Sequence, residues 1–261
     1  MEIIEWYEAR KRVGGDFQIF LKIIVWHDGE IYVGKWRDRQ QPPAAFEQLE
    51  DVKIIPTKDR GPIVRSNWKA ALPISDGWVK EPKWEDYLSP ELEADMEHEI
   101  EMCELVRQSP HINLATYRGC LLGHGRVKGL LFDKYQHTLL EKVNPQRLSK
   151  AHFVQGDRSL VDKTMRGWMP QLRSAVSHLH KLGYVHNDIT PANIMLDKNE
   201  RPVLIDFEGL RRAGESLRKV KRTIGWHDET VMLAQESNDW DALDEIEVWL
   251  FGKAGDLKFV G

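Results

Sequence analysis

The sequence predicts an α+β fold whose first part is rich in strands and whose second part is rich in helices. Runs of β-branched and aromatic residues crowd the first half of the chain, which is typical of strands. After residue 160 the apolar residues recur at helical spacing instead. Because 261 residues are enough for two small lobes that each bury a core, this asymmetry predicts two lobes.

Composition excludes several classes of protein. The 37 Lys and Arg residues are offset by 41 Asp and Glu residues, so the net charge of −4 argues against a uniformly basic nucleic-acid binder. A hydrophobic content of 41% excludes wholesale disorder. The two cysteines, Cys103 and Cys120, lack the spacing of a metal site, and we expect them to be free, buried thiols.

The sequence shows neither a membrane-anchor pattern nor a secretion-signal pattern. The longest apolar run, FQIFLKIIVW at 17–26, is much shorter than the roughly 20 residues that a membrane-spanning helix needs. The N-terminal stretch MEIIEWYEARKRVGG mixes both charge signs and lacks the apolar core of a signal peptide. We therefore expect a cytoplasmic protein that does not contact a membrane.

The strand-like runs of the first half begin with a hairpin. Asp28 and Gly29 lie between residues 17–26 and the run IYVGKW at 31–36, and an Asp-Gly pair in this position favours a tight turn between two strands. The same residue types predict further strands at 51–56, 62–68, 77–81, 114–122 and 126–132.

Two helices carry clear signals. Ser89 is placed to cap the first helix and Pro90 suits its first turn, so a helix is predicted over residues 90–108. A second helix has three apolar residues on one face, Leu172, Val176 and Leu179. Gly183 is placed to end this second helix.

Two short motifs in the second half carry the chemistry. Residues 184–196 read YVHNDITPANIML, and residues 203–209 read VLIDFEG. They resemble the catalytic loop H-R-D-x-x-x-x-N and the metal-binding D-F-G motif of the protein-kinase superfamily, in the same order along the chain. Over residues 75–260 the chain resembles the short, atypical kinase-like proteins of filamentous fungi. The resemblance implies a bilobal protein-kinase-like fold with a β-rich N-lobe and a shortened helical C-lobe.

The resemblance implies an ATP- and Mg²⁺-dependent transferase and assigns roles to the residues that match. Asp188 would accept the proton of the acceptor hydroxyl, while Asn193 and Asp206 would hold Mg²⁺. Lys80 would contact the ATP phosphates, and Glu99 would hold Lys80 in place. Other residues compete for the last two roles: Glu97 and Glu101 on the helix, and Lys69 and Lys83 near the strand.

The resemblance places the adenine base beside the segment that connects the two lobes. This segment maps to GLLFDKYQHTLLE, residues 129–141. Phe132 would lie at the back of the pocket. Asp133, Lys134 and Tyr135 would form the linker whose backbone bonds the edge of the adenine.

The chain departs from the kinase pattern at the loop that binds phosphate. No G-x-G-x-x-G sequence precedes Lys80. If 51–56 and 62–68 are the first two strands of the N-lobe, the loop between them is TKDRG. Lys58 and Arg60 of this loop would then replace glycine amides as phosphate contacts.

Three further departures lie inside the motifs. Asn187 stands where the family has an arginine that pairs with a phosphorylated activation segment, so no such switch is expected. Thr190 replaces a lysine that would touch the transferred phosphate. Glu208 replaces the glycine of D-F-G, and glycine allows backbone geometries that glutamate resists, which predicts a less mobile segment.

A basic segment follows the second motif. Residues 211–222, RRAGESLRKVKR, hold six basic residues against one acid in a chain of net negative charge. This bias predicts contact with an acidic partner, a phosphate group or RNA, and a solvated basic loop is the alternative. The candidate substrate contacts are Arg211, Arg212, Arg218 and Lys219. On the helix predicted at 239–250, Asp239 would brace the catalytic loop.

These inferences divide the chain into three parts. They are an N-terminal extension with a β-hairpin at 1–50, a kinase-like N-lobe at 51–135 and a shortened kinase-like C-lobe at 136–261. The predicted function is ATP- and Mg²⁺-dependent phosphotransfer to a hydroxyl of a protein or small molecule. Two alternatives stay open. One is a pseudokinase that only binds, and the other is a kinase-fold enzyme repurposed for another biosynthetic transfer, on an acidic or tRNA-linked substrate.

Overall fold

The computed structural model describes residues 1–14, 16–72 and 74–259. The chain forms two compact units. Unit 1 comprises Met1–Arg65, Glu81–Met96 and Leu122–Gly129, and unit 2 comprises Ser66–Lys80, Glu97–Leu121 and Leu130–Gly261. None of these boundaries falls at 50/51 or 135/136. The predicted domain limits follow the kinase resemblance rather than compactness, and they stay a prediction.

Unit 1 is built on an antiparallel sheet of four strands in the order β1-β2-β3-β4. Its strands are β1 (Glu2–Val13), β2 (Asp16–His27), β3 (Glu30–Trp36) and β4 (Glu50–Ile54). The predicted hairpin is confirmed, because Asp28 and Gly29 join β2 to β3 with φ values of 48° and 82°, the left-handed region that a two-residue turn requires. The sequence pattern does not predict β1, since its charged residues interrupt the apolar alternation.

The structure corrects the predicted start of the kinase-like sheet. The sequence predicts strands at 51–56 and 62–68, and the phosphate loop between them depends on the condition that they are the first pair of that sheet. The first strand forms at Glu50–Ile54, but the strand at 62–68 is wrong and the condition is not met. Residues 50–54 instead pair with β3 in the N-terminal sheet. Residues 62–68 form no strand and contribute only an isolated bridge. Pro62 lacks the N–H donor that a strand ladder needs, and Gly61 before it has a left-handed φ of 98°.

Both faces of β2 are covered over residues 21–25, which explains why this part of its sequence is largely apolar without alternation. On one face the core cluster contains Ile24, Val33, Ile55, Tyr87 and Leu92. On the other face the core cluster contains Leu21, Ile23, Val25 and Leu49. Successive residues of β2 therefore enter different clusters, and unit 1 has a core of its own.

A sheet of three strands in the order β5-β7-β6 presents part of the candidate site. The elements of this region are β5 (Gly77–Lys80), α1 (Leu92–Gln108), β6 (Tyr117–Gly123) and β7 (Arg126–Asp133). The strands predicted at 77–81, 114–122 and 126–132 and the helix at 90–108 are confirmed, with ends shifted by a few residues. Before α1, the Ser89 hydroxyl accepts a hydrogen bond from the N–H of Glu91 at 3.2 Å, which is the expected capping role.

Helices dominate unit 2. They are α2 (Leu139–Val143), α3 (Lys150–Gln155), α4 (Trp168–Lys181) and α5 (Glu236–Phe251). Two short strand pairs accompany them, β8 (Tyr184–Val185) with β11 (Arg211–Arg212) and β9 (Ile194–Leu196) with β10 (Pro202–Leu204). The predicted face of α4 is buried, and Gly183 follows the helix with a left-handed φ of 84°. The strand-rich first unit and the helix-rich second unit confirm the α+β class.

The two cysteines are buried and form no disulfide, as predicted. Burial raises the pKa of the Cys103 thiol and of the Cys120 thiol, which keeps both protonated and unreactive. Among the described residues, no helix combines the length and the apolar composition that spanning a bilayer requires.

A close approach of backbone requires glycine at position 119 in β6. A methyl group on Gly119 would lie 2.7 Å from both the Lys69 oxygen and the Ala71 nitrogen, and φ is +137°. We expect Gly119→Ala to lower the free energy of unfolding by about 2–4 kcal/mol, measured by urea denaturation. The control Gly125→Ala, at φ +74° with nothing within 4 Å, should lose only about 1–2 kcal/mol. Equal losses in the two variants would contradict the steric explanation.

Candidate active site

Lys80 is the centre of the candidate site. It is the last residue of β5 and lies opposite Leu130 of β7. Its ammonium group is 2.6 Å from Glu99 Oε1 and 2.8 Å from Asp206 Oδ1. The register of α1 directs Glu99 toward this lysine and leaves it only 7% exposed. The predicted Lys80–Glu99 pair therefore forms, which selects these two residues over the competing lysines and glutamates.

The three charged groups change one another's pKa values. Burial alone lowers the pKa of Lys80, but the carboxylates of Glu99 and Asp206 outweigh burial and raise that pKa above its ordinary value. Burial raises the pKa of Glu99 to about 7, although the nearby ammonium opposes the change. Burial also acts to raise the pKa of Asp206, but the charge of Lys80 outweighs it and lowers that pKa.

The raised pKa of Glu99 predicts a measurable pH dependence. Since the folded state holds this proton more tightly than an unfolded chain, the stability that Glu99 contributes is present below pH 4.5 and is lost as the pH rises through about 7. We expect the carboxyl ¹³C signal of Glu99 to titrate near pH 7 in NMR, with Glu99→Gln used to assign the signal. Lys80→Met should move the midpoint upward, because a stabilising positive charge is gone. An unchanged midpoint in that variant would contradict the coupling.

The catalytic-loop motif lies between β8 and β9 and is anchored by α5. Asp239 of α5 is fully buried. Its carboxylate accepts hydrogen bonds from the N–H groups of His186 and Asn187 at 2.8 Å each. His180 Nε2 lies 2.8 Å from the same carboxylate. Asp239 thus makes the bracing contacts that the resemblance implied for it.

Asp188 lies in a polar cluster that the sequence pattern predicts only in part. Asn193 Nδ2 donates to the backbone oxygen of Asp188 at 2.9 Å and to its Oδ2 at 3.0 Å. Thr223 donates its backbone N–H to Asp188 Oδ1 at 2.7 Å and its hydroxyl to Oδ2 at 3.2 Å. No motif surrounds Thr223 in the sequence, so only the fold identifies it as a neighbour of Asp188.

Two departures from the kinase pattern have local structural roles. Asn187 adopts a left-handed φ of 67°, which asparagine tolerates better than most residues. Its side chain donates to the backbone oxygens of Val185 at 2.8 Å and Gly209 at 3.1 Å. The Thr190 hydroxyl accepts a hydrogen bond from the N–H of Asn193 at 3.3 Å. Both side chains therefore stabilise the loop through hydrogen bonds to its own backbone or to neighbouring backbone.

The second motif presents Asp206 from a turn that follows β10. Asp206 has a left-handed φ of 66°, and the Phe207 side chain beside it is fully buried. A methyl group on Gly209 would lie 2.8 Å from the His186 backbone oxygen. The close approach in this motif therefore falls on Gly209. Glu208 is not among the described residues with a left-handed φ, so its backbone does not require glycine at the third position of the motif.

A cavity of about 490 Å³ opens beside the Lys80 ammonium. The residues predicted near adenine, Phe132, Asp133, Lys134 and Tyr135, all line it. The apolar walls of the cavity also include Trp78, Met195 and Ile205, for which no role in the pocket was predicted from the sequence. The sequence could have predicted Trp78 as a wall of the cavity, because residues two apart on a strand share a face and Lys80 is two residues later. An apolar slot with a charged end suits a ligand that has a flat base and an anionic tail.

The two residues of the TKDRG loop that were predicted to contact phosphate, Lys58 and Arg60, contact other groups of the protein. Both residues belong to unit 1. Lys58 Nζ lies 2.7 Å from Glu30 Oε1. Arg60 pairs with Glu93 at 2.7 Å and donates to two backbone oxygens. The strand pair that placed them at a phosphate loop does not form between residues 51–56 and 62–68. Their contact with phosphate stays a prediction.

The basic segment divides into internal and exposed residues. The Arg211 guanidinium donates to two neighbouring backbone oxygens at 2.7 Å, so it serves the fold of this segment. The Arg212 guanidinium lies 5.0 Å from the centre of the Tyr184 ring, and its residue is exposed. Arg218 and Lys219 are also exposed. Three of the four predicted substrate contacts are therefore accessible, and their contact with a substrate stays a prediction.

The predicted magnesium ligands have suitable chemistry. Within residues 1–14, 16–72 and 74–259, no group of three or more His, Cys, Asp or Glu side chains forms a metal site. Mg²⁺ in phosphotransfer sites, however, needs only one or two protein oxygen ligands beside the substrate phosphates. Asp206 offers a carboxylate, and Asn193 has its amide nitrogen on Asp188, which directs its carbonyl oxygen the other way. These residues fit such an ion.

Comparison with known proteins agrees with this geometry. Residues 82–241, more than half of the chain, match the family described as "Protein kinase domain". The liver/testis isoform of the phosphorylase b kinase gamma catalytic chain of Mus musculus is 35% identical over 160 residues, which cover 59% of this chain and 39% of that protein. Serine/threonine-protein kinase SKS1 of Saccharomyces cerevisiae is 51% identical over 78 residues, which cover 30% of this chain and 14% of that protein.

Other matches are more distant. Serine/threonine-protein kinase PKH3 of Eremothecium gossypii is 24% identical over 119 residues, 37% of this chain and 16% of that protein. The chain thus spans less than half of the length of these curated relatives. A chain in the crystal structure of the yeast RNA Pol II CTD kinase CTDK-1 complex shares the fold, with a TM-score of 0.51 and 16% identity over 67% of this chain and 54% of that chain. The chain belongs to the protein kinase family.

Proposed function

We propose that this chain is a protein kinase that transfers the γ-phosphoryl group of Mg²⁺-ATP to hydroxyl groups of proteins. The observation that carries the proposal is the position of Lys80, whose ammonium lies between Glu99 and Asp206 at the charged end of the cavity. Phosphoryl transfer requires mainly the positioning of the reactants and the neutralisation of phosphate charge. Glu99 and Asp206 hold the Lys80 ammonium in position, and the ammonium together with a bound Mg²⁺ would neutralise the phosphates.

The cavity and its charged end would bind the nucleotide together. The raised pKa of Lys80 keeps its ammonium charged, so it can pair with the ATP phosphates while Glu99 holds it. Asp206 and Asn193 would hold Mg²⁺, whose charge offsets that of the β- and γ-phosphates. Phe132 and the apolar walls would enclose the adenine base and exclude water from it.

Asp188 would orient the acceptor hydroxyl and take its proton. The hydrogen bonds from Asn193 and Thr223 hold its carboxylate in one orientation. A carboxylate placed in this way acts as a general base for an attacking hydroxyl. Because Thr190 stands where the family has a lysine, the neutralisation of the transferred phosphate would rest on Lys80 and the bound cation.

The acceptor would be serine or threonine in an acidic protein segment. Two of the relatives are named serine/threonine-protein kinases, which supports the hydroxyl class. The exposed Arg212, Arg218 and Lys219 follow the metal-binding motif and supply positive charge for an acidic sequence. We propose a cytoplasmic location for this activity.

A pseudokinase that binds Mg²⁺-ATP without turnover is the second candidate. Two observations favour it. Thr190 is 1% exposed and replaces a positive charge. Residues 55–72 and 74–76 form no strand, so the described chain lacks the glycine-rich hairpin that covers the phosphates in other kinases. Transfer of labelled phosphate to a protein acceptor separates the two candidates, because a pseudokinase binds the nucleotide and transfers nothing.

Thermal unfolding with and without Mg²⁺-ATP tests nucleotide binding. A ligand present at 100 times its Kd stabilises the native state by about 2.7 kcal/mol, so we expect a clear rise in Tm for the native chain. Asp206→Ala should abolish the rise, and the control Asp95→Ala, at an exposed position in the first turn of α1, should keep it. No rise in the native chain would contradict the proposal and would favour a fold repurposed for another transfer.

A further inference from the structure

The outer edge of β1 is a long surface without a partner strand in the described chain. β1 has 12 residues, pairs with β2 along nearly its whole length and is the first strand in the order of its sheet. Roughly every second residue of an edge strand directs its N–H and C=O groups away from the sheet. The edge therefore offers a row of hydrogen-bonding groups to another strand.

The charges of β1 are segregated along the strand rather than mixed. The acids Glu2, Glu5 and Glu8 come first, and the bases Arg10, Lys11 and Arg12 come last. Glu2, Glu5, Arg10 and Arg12 are all exposed. β1 carries two features that can hinder edge pairing, its charged side chains and a register irregularity between Ile3 and Glu5. Its charges, however, are of both signs rather than of one sign along the whole strand. Its charge pattern thus permits pairing with a strand of the opposite charge order.

β1 itself, in antiparallel orientation, has that opposite order. When two copies of β1 run antiparallel, the acidic half of each lies beside the basic half of the other, and cross-strand pairs of opposite charge stabilise a sheet. In a register centred on Tyr7, for example, Glu2 lies opposite Arg12. Parallel pairing would place like charges together instead, which is destabilising. The pattern is therefore self-complementary in one orientation.

Exposed apolar side chains near the middle of the strand support the same contact. Trp6 is 62% exposed and Ile4 is 43% exposed. In an antiparallel pair centred on Tyr7, Trp6 lies next to the two-fold axis and Ile4 lies opposite Arg10, so the second copy would partly shield both from water. A tryptophan is a large apolar surface, and its burial is a major source of binding free energy at interfaces.

We propose that a second copy of this chain binds the β1 edge, through antiparallel β1–β1 pairing that continues the sheet from one copy into the next. Such a contact is closed by two-fold symmetry, because the same residues face one another from both sides. The proposal concerns unit 1 alone and stands independently of the proposed kinase reaction.

Charge reversal combined with mixing tests this pairing. One variant, Glu2→Lys with Glu5→Lys, makes the strand largely basic, and another, Arg10→Glu with Arg12→Glu, makes it largely acidic. Glu8 is left unchanged because it pairs with Arg39 within the chain. Arg10 also lies 3.8 Å from Glu8, but this pair is exposed, so its loss should change the free energy of unfolding very little. The control Glu47→Lys with Glu229→Lys changes the same charge at exposed positions outside β1. Sedimentation equilibrium measures the mass of each chain, and thermal unfolding checks that each is folded.

We expect the native chain and the control to sediment at twice 30.4 kDa. Each reversed variant alone should have a dimer Kd raised by about tenfold or more, because like charges then face each other. An equimolar mixture of the two variants should regain the dimer, since a basic strand meets an acidic one. Three results would each overturn the proposal: a monomeric native chain, a dimer Kd that the charge reversals leave unchanged, or a mixture of the two variants that stays monomeric.

Discussion

Asp188→Asn should lower the rate of phosphate transfer to a protein acceptor by about 10²- to 10⁴-fold, the usual contribution of a general base. Asparagine has nearly the same shape, so the loop can largely persist, and its single amide oxygen can still accept a hydrogen bond from the Thr223 N–H, but the amide takes up no proton. Binding of Mg²⁺-ATP should remain, because Lys80 and Asp206 are unchanged. Initial rates with labelled ATP and the thermal shift with Mg²⁺-ATP measure the two properties separately.

Two further variants serve as controls for the Asp188→Asn measurement. Asp95→Asn makes the same chemical change at an exposed position in the first turn of α1 and should leave the rate unaltered. Lys80→Met should remove nucleotide binding together with transfer, because the phosphates lose their ammonium partner. A rate in Asp188→Asn equal to that of the native chain would show that another group accepts the proton.

Asp239→Ala should lower the free energy of unfolding by about 3–5 kcal/mol, the range for breaking a buried charged cluster. The alanine leaves the N–H groups of His186 and Asn187 buried without an acceptor, and it removes the partner of His180. Each such buried donor costs about 1–3 kcal/mol. Asp239→Asn keeps one carbonyl oxygen as an acceptor and should lose clearly less. Urea denaturation measures all of these differences.

Asp241 provides the control on the same helix. Its carboxylate pairs with Lys258 at 2.8 Å at a half-exposed position, so Asp241→Ala should lose about 1 kcal/mol or less. Comparable losses in the Asp239 and Asp241 variants would mean that the loop does not depend on its buried anchor. A large loss confined to Asp239 would show that α5 holds the catalytic loop in its folded geometry.

The motif residues were predictable because their chemistry sets both residue type and local spacing. Asp188 and Asn193 lie five positions apart in one loop, and the structure brings their side chains into contact. Asp206 follows an apolar strand that the sequence also shows. These relations depend on a few consecutive residues, so a resemblance to a known family carries them over without knowledge of the fold.

The partners of Lys80 were predictable only as a choice among candidates. The lysine could be matched to any of three glutamates on one helix, and only the register of α1 selects Glu99. Thr223 lies 35 positions beyond Asp188 and carries no recognisable pattern, so its two hydrogen bonds come from tertiary structure alone. Trp78 is an intermediate case, because strand alternation relates it to Lys80 once the strand is known.

The strands of the first 70 residues show most clearly which features the sequence alone does not predict. The sequence by itself determined the α+β class, the hairpin at Asp28-Gly29 and the family to which the chain belongs. Only the tertiary structure decided that residues 50–54 complete the N-terminal sheet and that Gly209, not residue 208, carries the close approach of the second motif. Turns and loop motifs depend on conformational preferences of adjacent residues, whereas the pairing of strands depends on which distant edges and apolar faces bury the most surface together.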